Sequence, residues 1–445
     1  MTETQLNIRA FEFVEKIKVI DEFPKPGNKP KLKGSLAQME FVDLSDKVAE
    51  GPVIQTQMVP EINDEKLHIS IGNKTYGFDI KEYPSYYKYI YELSLLNDLH
   101  SKVSIKYLRT QTLLWIIGVF INNKAEQNLL NFILEKLESE IKRIKYYYPI
   151  LNLTIEEPFE IGEVKITYFT KEYFDKYWEY TKEKYNSNKK EFDSLFRKYQ
   201  GRVFIETEVN AENEKGQEIS YRLASFAADV MILLSPTVVH PKEKCLIDLD
   251  KRIPWESEHI SIDADKEFDF SISLSANRGT FDINKEMIAG IKSNMLYLFG
   301  KVVKKIPEKE IDLLIIDTIK LTAKAIRETD LHLRISLMIM IIESVFLLED
   351  EDYRMEKKCK RRMCELLNPN GGKKHQKLFD TLSNMYEIRH KMTHKVIREY
   401  IEPNKLSHFQ TNLIEVILQL LGNNHLIKTK DNLIKILDEK VKTNA

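Results

Sequence analysis

The chain has 445 residues, of which 43% are hydrophobic and 30% charged, and its formal net charge is −1. This composition excludes a disordered or fibrous chain and supplies core material for two or three domains. A net charge so close to zero excludes attraction to nucleic acid by the molecule as a whole, so any such partner must meet a local basic patch. The three cysteines, Cys245, Cys359 and Cys364, are too few for a disulfide scaffold and lack partners at zinc-ligand spacing, which fits a reduced cytoplasmic compartment. The polar start Met1–Gln5 has no signal-peptide pattern. The greasiest stretch, Ile335–Leu348, holds 11 apolar residues in 14 and falls short of a bilayer span, so no membrane is expected.

In chain order, residues 1–80 read as strand-rich. Both "LNIRAFEFVEKIKVI" (6–20) and "KLHISIGNKTYGFDI" (66–80) approach alternation, and Pro24, Pro26, Gly27 and Pro30 mark a loop. Pro84 opens a Tyr-rich helix to about Leu99. "KVSIKYLRTQTLLWIIGVFI" (102–121) is ambiguous, and its β-branched residues and Gly118 favour strands. "AEQNLLNFILEKLESEIKRIKYY" (125–147) is an amphipathic helix with Leu129, Phe132, Ile133 and Leu137 on one face. Strand follows at 158–169, a charged aromatic helix at 171–199, strand at 201–211, helix at 219–235, then short strands "CLIDL" (245–249) and "FSISLS" (270–275). This order predicts an α+β N-terminal region, residues 1–280, with the boundary near Gly279.

From 281 to 445 every segment is helical in period, with helices at about 284–304, 308–328, 330–349, 353–367, 374–398, 406–422 and 430–442. Their breaks are Pro307, a Thr329-Asp330 cap, "NPNGG" (368–372) and Pro403. The fold class expected is therefore an α+β N-terminal region followed by an all-α helical bundle.

The densest chemistry is "EIRHKMTHK" (387–395). On a helix His390 and His394 share a face, while Arg389 and His394 are about 140° apart. A histidine, titrating near neutrality, suits proton transfer to or from a ribose 2′-OH or a leaving oxygen. A guanidinium suits the scissile phosphate. The plain alternative is a solvated basic face, and spacing alone does not decide between them. One Arg and one His make half a site, so two copies across a two-fold axis would complete it.

Two further features bear on this motif. Glu343 lies inside the apolar run "MIMIIESVFLL", where a charge is costly unless paired, and Arg389 is its expected partner. The run "YRMEKKCKRRMCELLNPNGGKKHQK" (353–377) carries Arg354, Lys357, Lys358, Lys360, Arg361, Arg362, Lys373, Lys374 and Lys377 against two glutamates. It is expected to form an RNA-binding shelf, with Met355, Cys359, Met363, Leu366 and Leu367 turned to the core. "NPNGGKK" lacks the preceding strand and G-K-[ST] ending of a phosphate loop and reads as a turn. "KRIKYYYP" (142–149), with Tyr146, Tyr147 and Tyr148, can stack bases, though tyrosines at a helix end are more often core.

The phrase "LSNMYEIRHKMTHK" (382–395), together with the preceding apolar helix and its internal acid, resembles the HEPN superfamily, most closely its Apea-like branch, over roughly residues 308–425. The family's R-x4–6-H motif corresponds to Arg389 and His394, with His390 at the polar position after the Arg. Where the family has a Gly soon after the His, this chain has Lys395. The resemblance implies a metal-independent endoribonuclease without cofactor. It implies a homodimer, common in prokaryotic anti-phage or toxin systems, whose N-terminal region senses a phage-derived or protein trigger. In those roles Arg389 binds phosphate, His394 is acid or base, His390 assists and Glu343 orients Arg389. A catalytically silent HEPN module for RNA binding or dimerisation, and a metal-dependent nuclease, remain open beside it.

Overall fold

The computed structural model describes residues 3–20, 67–71, 74–125, 127–168, 170–172, 175, 193, 197, 199–249, 256–262, 268–274, 281–303 and 309–443. Those residues fall into two compact units, one within 1–144 together with 210–216, the other within 145–209 and from 217 onward. The proline-marked loop at 24–30 and the boundary at Gly279 lie outside the described residues, as does most of the helix expected over 171–199.

The first unit holds helices α1 (Glu3–Lys16), α2 (Tyr83–Ser94), α3 (Ile105–Asn122) and α4 (Leu129–Glu140). Its strands β1 (Lys18–Ile20), β2 (His68–Ile71) and β3 (Lys74–Gly77) form one antiparallel sheet in the order β1-β3-β2. The β2–β3 hairpin follows the sequence reading, but "LNIRAFEFVEKIKVI" does not. Leu6, Ala10 and Phe13 are buried while Ile8 and Phe11 stay exposed, which is helical spacing, and only Lys18–Ile20 is strand. The strands expected at 102–121 are instead α3, capped by Ser104, whose hydroxyl accepts from the Tyr107 N–H at 3.1 Å. Its β-branched residues are tolerated because Leu108, Leu113, Trp115, Ile116 and Ile117 are all buried, and packing outweighs propensity. Phe13, Phe78, Tyr86 and Tyr89 form the aromatic heart of this core.

The second unit takes in β4 (Lys142–Leu151) from Lys145 onward, so "KRIKYYYP" is strand rather than a helix end. It continues with β5 (Leu153–Ile155), β6 (Phe159–Ile161), β7 (Val164–Tyr168), β8 (Val203–Ala211), α5 (Asn213–Leu233) and β9 (Asp248–Leu249). A five-stranded sheet runs β6-β7-β8-β4-β9, and β10 (Glu256–Ile262) with β11 (Phe268–Leu274) makes a separate hairpin. β12 (Phe281–Ile283) pairs parallel to β5 and feeds α6 (Lys285–Ile291), which passes through a π-helical turn (Lys292–Leu296) into a last α turn (Tyr297–Gly300).

The C-terminal region is helical: α7 (Glu310–Arg327), α8 (Leu331–Phe346), α9 (Met355–Leu367), α10 (Gly372–Lys395), α11 (Pro403–Asn423) and α12 (Lys430–Thr443). The expected breaks recur. Asp330 caps α8 by accepting from the His332 N–H at 3.0 Å, and Pro403 opens α11. Gly371 and Gly372 turn the chain at φ +65° and +82°, a conformation that disfavours side chains. α8 packs against α7, α9, α10 and α11, so its apolar run is the centre of the bundle. Arg327 binds Asp229 of α5 at 3.3 Å and Asp248 of β9 at 3.2 Å, tying the first bundle helix to sheet-side elements of the same unit.

Candidate functional site

α10 crosses the apolar α8 because Leu378, Leu382, Met385 and Ile388 recur at helical spacing and are buried. That packing brings Arg389 to Glu343, with Nη1 donating to Oε1 at 2.6 Å. The pairing expected of these two residues is therefore present. The pair is not fully buried, since the Glu343 side chain keeps 19% exposure and Arg389 keeps 30%. Nη2 and Nε of Arg389 have no partner among the described residues, which leaves them for an anion.

Behind the pair lies Tyr386, whose hydroxyl is driven far above its ordinary range by burial, with Cys359 and Glu343 adding to the shift. Burial also pushes the Cys359 and Cys364 thiols up to about 12. All three cysteines are free and buried, so none is a thiolate nucleophile near neutral pH.

His390 and His394 are exposed on the last two turns of α10, their ring centroids 4.8 Å apart and tilted by 46°. Lys391 between them is held by Glu387 at 2.6 Å and Glu399 at 2.8 Å, which raises its pKa and takes it out of competition for substrate. The two imidazoles are thus exposed side by side at this helix end. Within one chain Arg389 turns toward α8 while the histidines face solvent.

α10 ends on Val396 at φ +56°, where glycine is usual. The Val396 and Ile397 N–H groups donate to the carbonyls of Met392 and Lys391, each at 3.2 Å. A β-branched residue in this conformation stores strain immediately after the motif.

The basic shelf divides in two. Arg354, Lys357, Arg361, Lys373, Lys374 and Lys377 are exposed. Lys358, Lys360 and Arg362 leave the shelf for internal ion pairs. Arg362 is 3% exposed and clamps two carboxylates, Glu351 at 2.6 and 2.8 Å and Asp438 at 2.7 and 2.8 Å. It also donates to the Phe346 carbonyl at 2.7 Å. Lys360 is held by Glu356 at 2.6 Å and the Ser383 hydroxyl at 3.0 Å, above the Phe379 ring. Lys358 reaches Glu351 at 2.8 Å. Lys360 and Arg362 are buried because α9 must bury one side, where Cys359 and Met363 also lie, while Lys358 stays at its edge. Lys373 and Lys377 line a groove of about 510 Å³ with Asn384, Lys405 and His408. Sequence reasoning missed Lys405 and His408, which lie on α11 and carry no local motif.

It also missed Arg334, a guanidinium only 1% exposed in the same apolar helix as Glu343. Arg334 donates to the carbonyls of Glu328 and Pro241 and to Gln410 Oε1, and Gln410 donates in turn to the carbonyls of Thr237 and Val238. The signal was available, a second charge in "LRISLMIMIIESVF", but its partners are mostly backbone and leave no trace in sequence. Tyr148 of β4 is tied to the Ser220 hydroxyl at 2.6 Å and edge-packed on Tyr221.

Among the described residues no group of three His, Cys, Asp or Glu is placed to hold a metal ion, and no helix is long and apolar enough to cross a membrane. Comparison with family models, curated proteins and solved structures finds no match, so the likeness around Arg389 and His394 rests on the residues themselves.

Proposed function

We propose that this chain is a metal-independent endoribonuclease of HEPN type. The supporting observation is the end of α10, where a carboxylate-held guanidinium and two exposed imidazoles occur within six residues. Arg389 takes the scissile phosphate with the N–H groups that Glu343 leaves unused. One imidazole removes the proton of the ribose 2′-OH, whose oxygen attacks the adjacent phosphorus. The P–O5′ bond breaks, and a second, protonated imidazole gives its proton to the departing oxygen. The products are a 2′,3′-cyclic phosphate and a 5′-OH end, with no water or metal consumed. Arg389 and His394 are about 140° apart on one helix, so a complete set takes its groups from two chains related by a two-fold axis. Exposed Lys357, Arg361, Lys373 and Lys377 hold the RNA backbone, and the role in anti-phage defence or a toxin-like response, with a trigger read by the N-terminal region, follows the family resemblance.

A silent module for RNA binding or dimerisation is the second reading, and the same 140° offset favours it. Purified full-length chain incubated with labelled RNA in EDTA separates the two. EDTA-resistant cleavage to cyclic-phosphate ends supports the enzyme. Binding without cleavage supports the module. Cleavage abolished by EDTA overturns both in favour of a metal-dependent nuclease. Light scattering at micromolar concentration is expected to give twice the 52.4 kDa chain mass.

A further inference from the structure

A cavity in the second unit lies far in sequence from α10. It occupies about 630 Å³ between the β6–β7 hairpin and the π-turned helix that follows β12. That volume is within the roughly 300–1,000 Å³ of small-molecule sites. Its floor is apolar, with Phe159 and Leu296 buried. Its rim carries three ammonium groups, Lys165, Lys292 and Lys301, against the carboxylate of Glu160. Glu157 stands 4.0 Å from Lys292 and offsets part of one charge, so the rim remains net positive.

Two backbone features hold this arrangement. Gly162 and Gly300 meet backbone to backbone: a Cβ on Gly162, itself at φ +58°, would lie 2.8 Å from the Gly300 carbonyl, and one on Gly300 would lie 2.9 Å from the Gly162 nitrogen. No side chain fits between the hairpin turn and the helix end, so the two pocket-lining elements meet backbone to backbone. The second feature is the π turn at Lys292–Leu296. In a straight α-helix Lys292 and Tyr297, five apart, would diverge by about 140°. The wider turn lets both line one cavity, and π turns concentrate at functional sites.

Tyr297 specifies the ligand class. Its ring is 68% exposed at the pocket wall, with the Lys301 ammonium 5.0 Å from its centroid. Lysines alone would suit any anion, but an exposed aromatic beside three lysines suits a planar base joined to phosphates.

We propose that this pocket binds a free mononucleotide, its phosphates on Lys165, Lys292 and Lys301 and its base on Tyr297. The site is independent of the reading of Arg389 and His394, and its binding test does not involve RNA cleavage. The experiment is isothermal titration of the full-length chain with ATP, adenosine and inorganic triphosphate, with a short oligoribonucleotide as competitor. ATP is expected to saturate one site per chain, with adenosine and triphosphate each at least about tenfold weaker. Lys292→Glu with Lys301→Glu abolishes ATP binding without moving the unfolding midpoint, and Lys292→Gln with Lys301→Gln weakens it should the reversal fail to fold. Tyr297→Ala lowers ATP to the level of triphosphate, and Glu160→Gln tightens it. No ATP binding at millimolar concentration, or unchanged binding in the lysine variants, overturns the site. Triphosphate binding as tightly as ATP, or the oligoribonucleotide competing equally, overturns the mononucleotide assignment.

Discussion

Arg362 sits in the middle of a cationic run yet behaves as a core residue, and replacing it tests that directly. Its guanidinium makes five hydrogen bonds, four of them to the paired carboxylates of Glu351 and Asp438. Breaking a buried pair by removing one partner costs about 3–5 kcal/mol, mostly for the charge left behind. Here Asp438 is 44% exposed and rehydrates cheaply, while Lys358 stays on Glu351, so Arg362→Ala is placed at the low end, about 3 kcal/mol. Arg362→Lys, which keeps the charge and loses the fork, costs about half that. The pH dependence has a definite sign. The hydrogen bonds from Arg362 lead the groups that hold the Glu351 carboxyl at about 2, below its ordinary 4.5. Stability from this clamp is therefore complete above pH 4.5 and is lost as pH falls toward 2, and Arg362→Ala removes most of that acid-sensitive part. Urea unfolding followed by circular dichroism at pH 7 and at pH 4, alongside RNA binding, reads both. Unchanged stability in Arg362→Ala, combined with weakened RNA binding, would refute the reasoning and return Arg362 to the shelf.

Three further outcomes are expected. Val396→Gly relieves roughly 1–2 kcal/mol of left-handed strain against about 0.5–1 kcal/mol of extra chain entropy, so the urea midpoint rises slightly; a lower midpoint contradicts the strain. Lys357→Glu with Arg361→Glu lowers RNA affinity and flattens its salt dependence while turnover at saturating RNA survives, and an unchanged salt slope counts against the shelf. Glu343→Gln keeps RNA affinity and lowers single-turnover cleavage, because Arg389 loses its charged orienting partner; lost affinity with intact turnover would reverse the two roles.

The pattern of success along the chain has physical causes. The six long C-terminal helices were readable because each buries one stripe and is bounded by a cap or breaker, as with Asp330 and Pro403. Two N-terminal helices, α1 and α3, were not. In α1 the apolar residues Leu6, Ile8, Ala10, Phe11 and Phe13 satisfy both the strand and the helix pattern, and only burial separates them. α3 is apolar nearly all round, so it has no moment to read, and the Ser104 cap was its one local signal. The Arg389–Glu343 pair was legible because a lone acid in an apolar run demands a cation. Arg362 was not, since Glu351 lies 11 residues away and Asp438 lies 76 residues away. A run of like charges reveals that cations are present, not which of them face inward.

Metal-free cleavage of RNA by Arg389 and His394, as proposed, is tested by single-turnover cleavage in EDTA by Arg389→Ala, His394→Ala and the double variant. Circular dichroism run in parallel checks that each is folded. The account predicts that both single variants lose cleavage while keeping the wild-type fold and RNA affinity within a few-fold. It also predicts that mixing the two single variants restores part of the activity if each site draws on both chains. A folded double variant that cuts RNA as fast as wild type would contradict it.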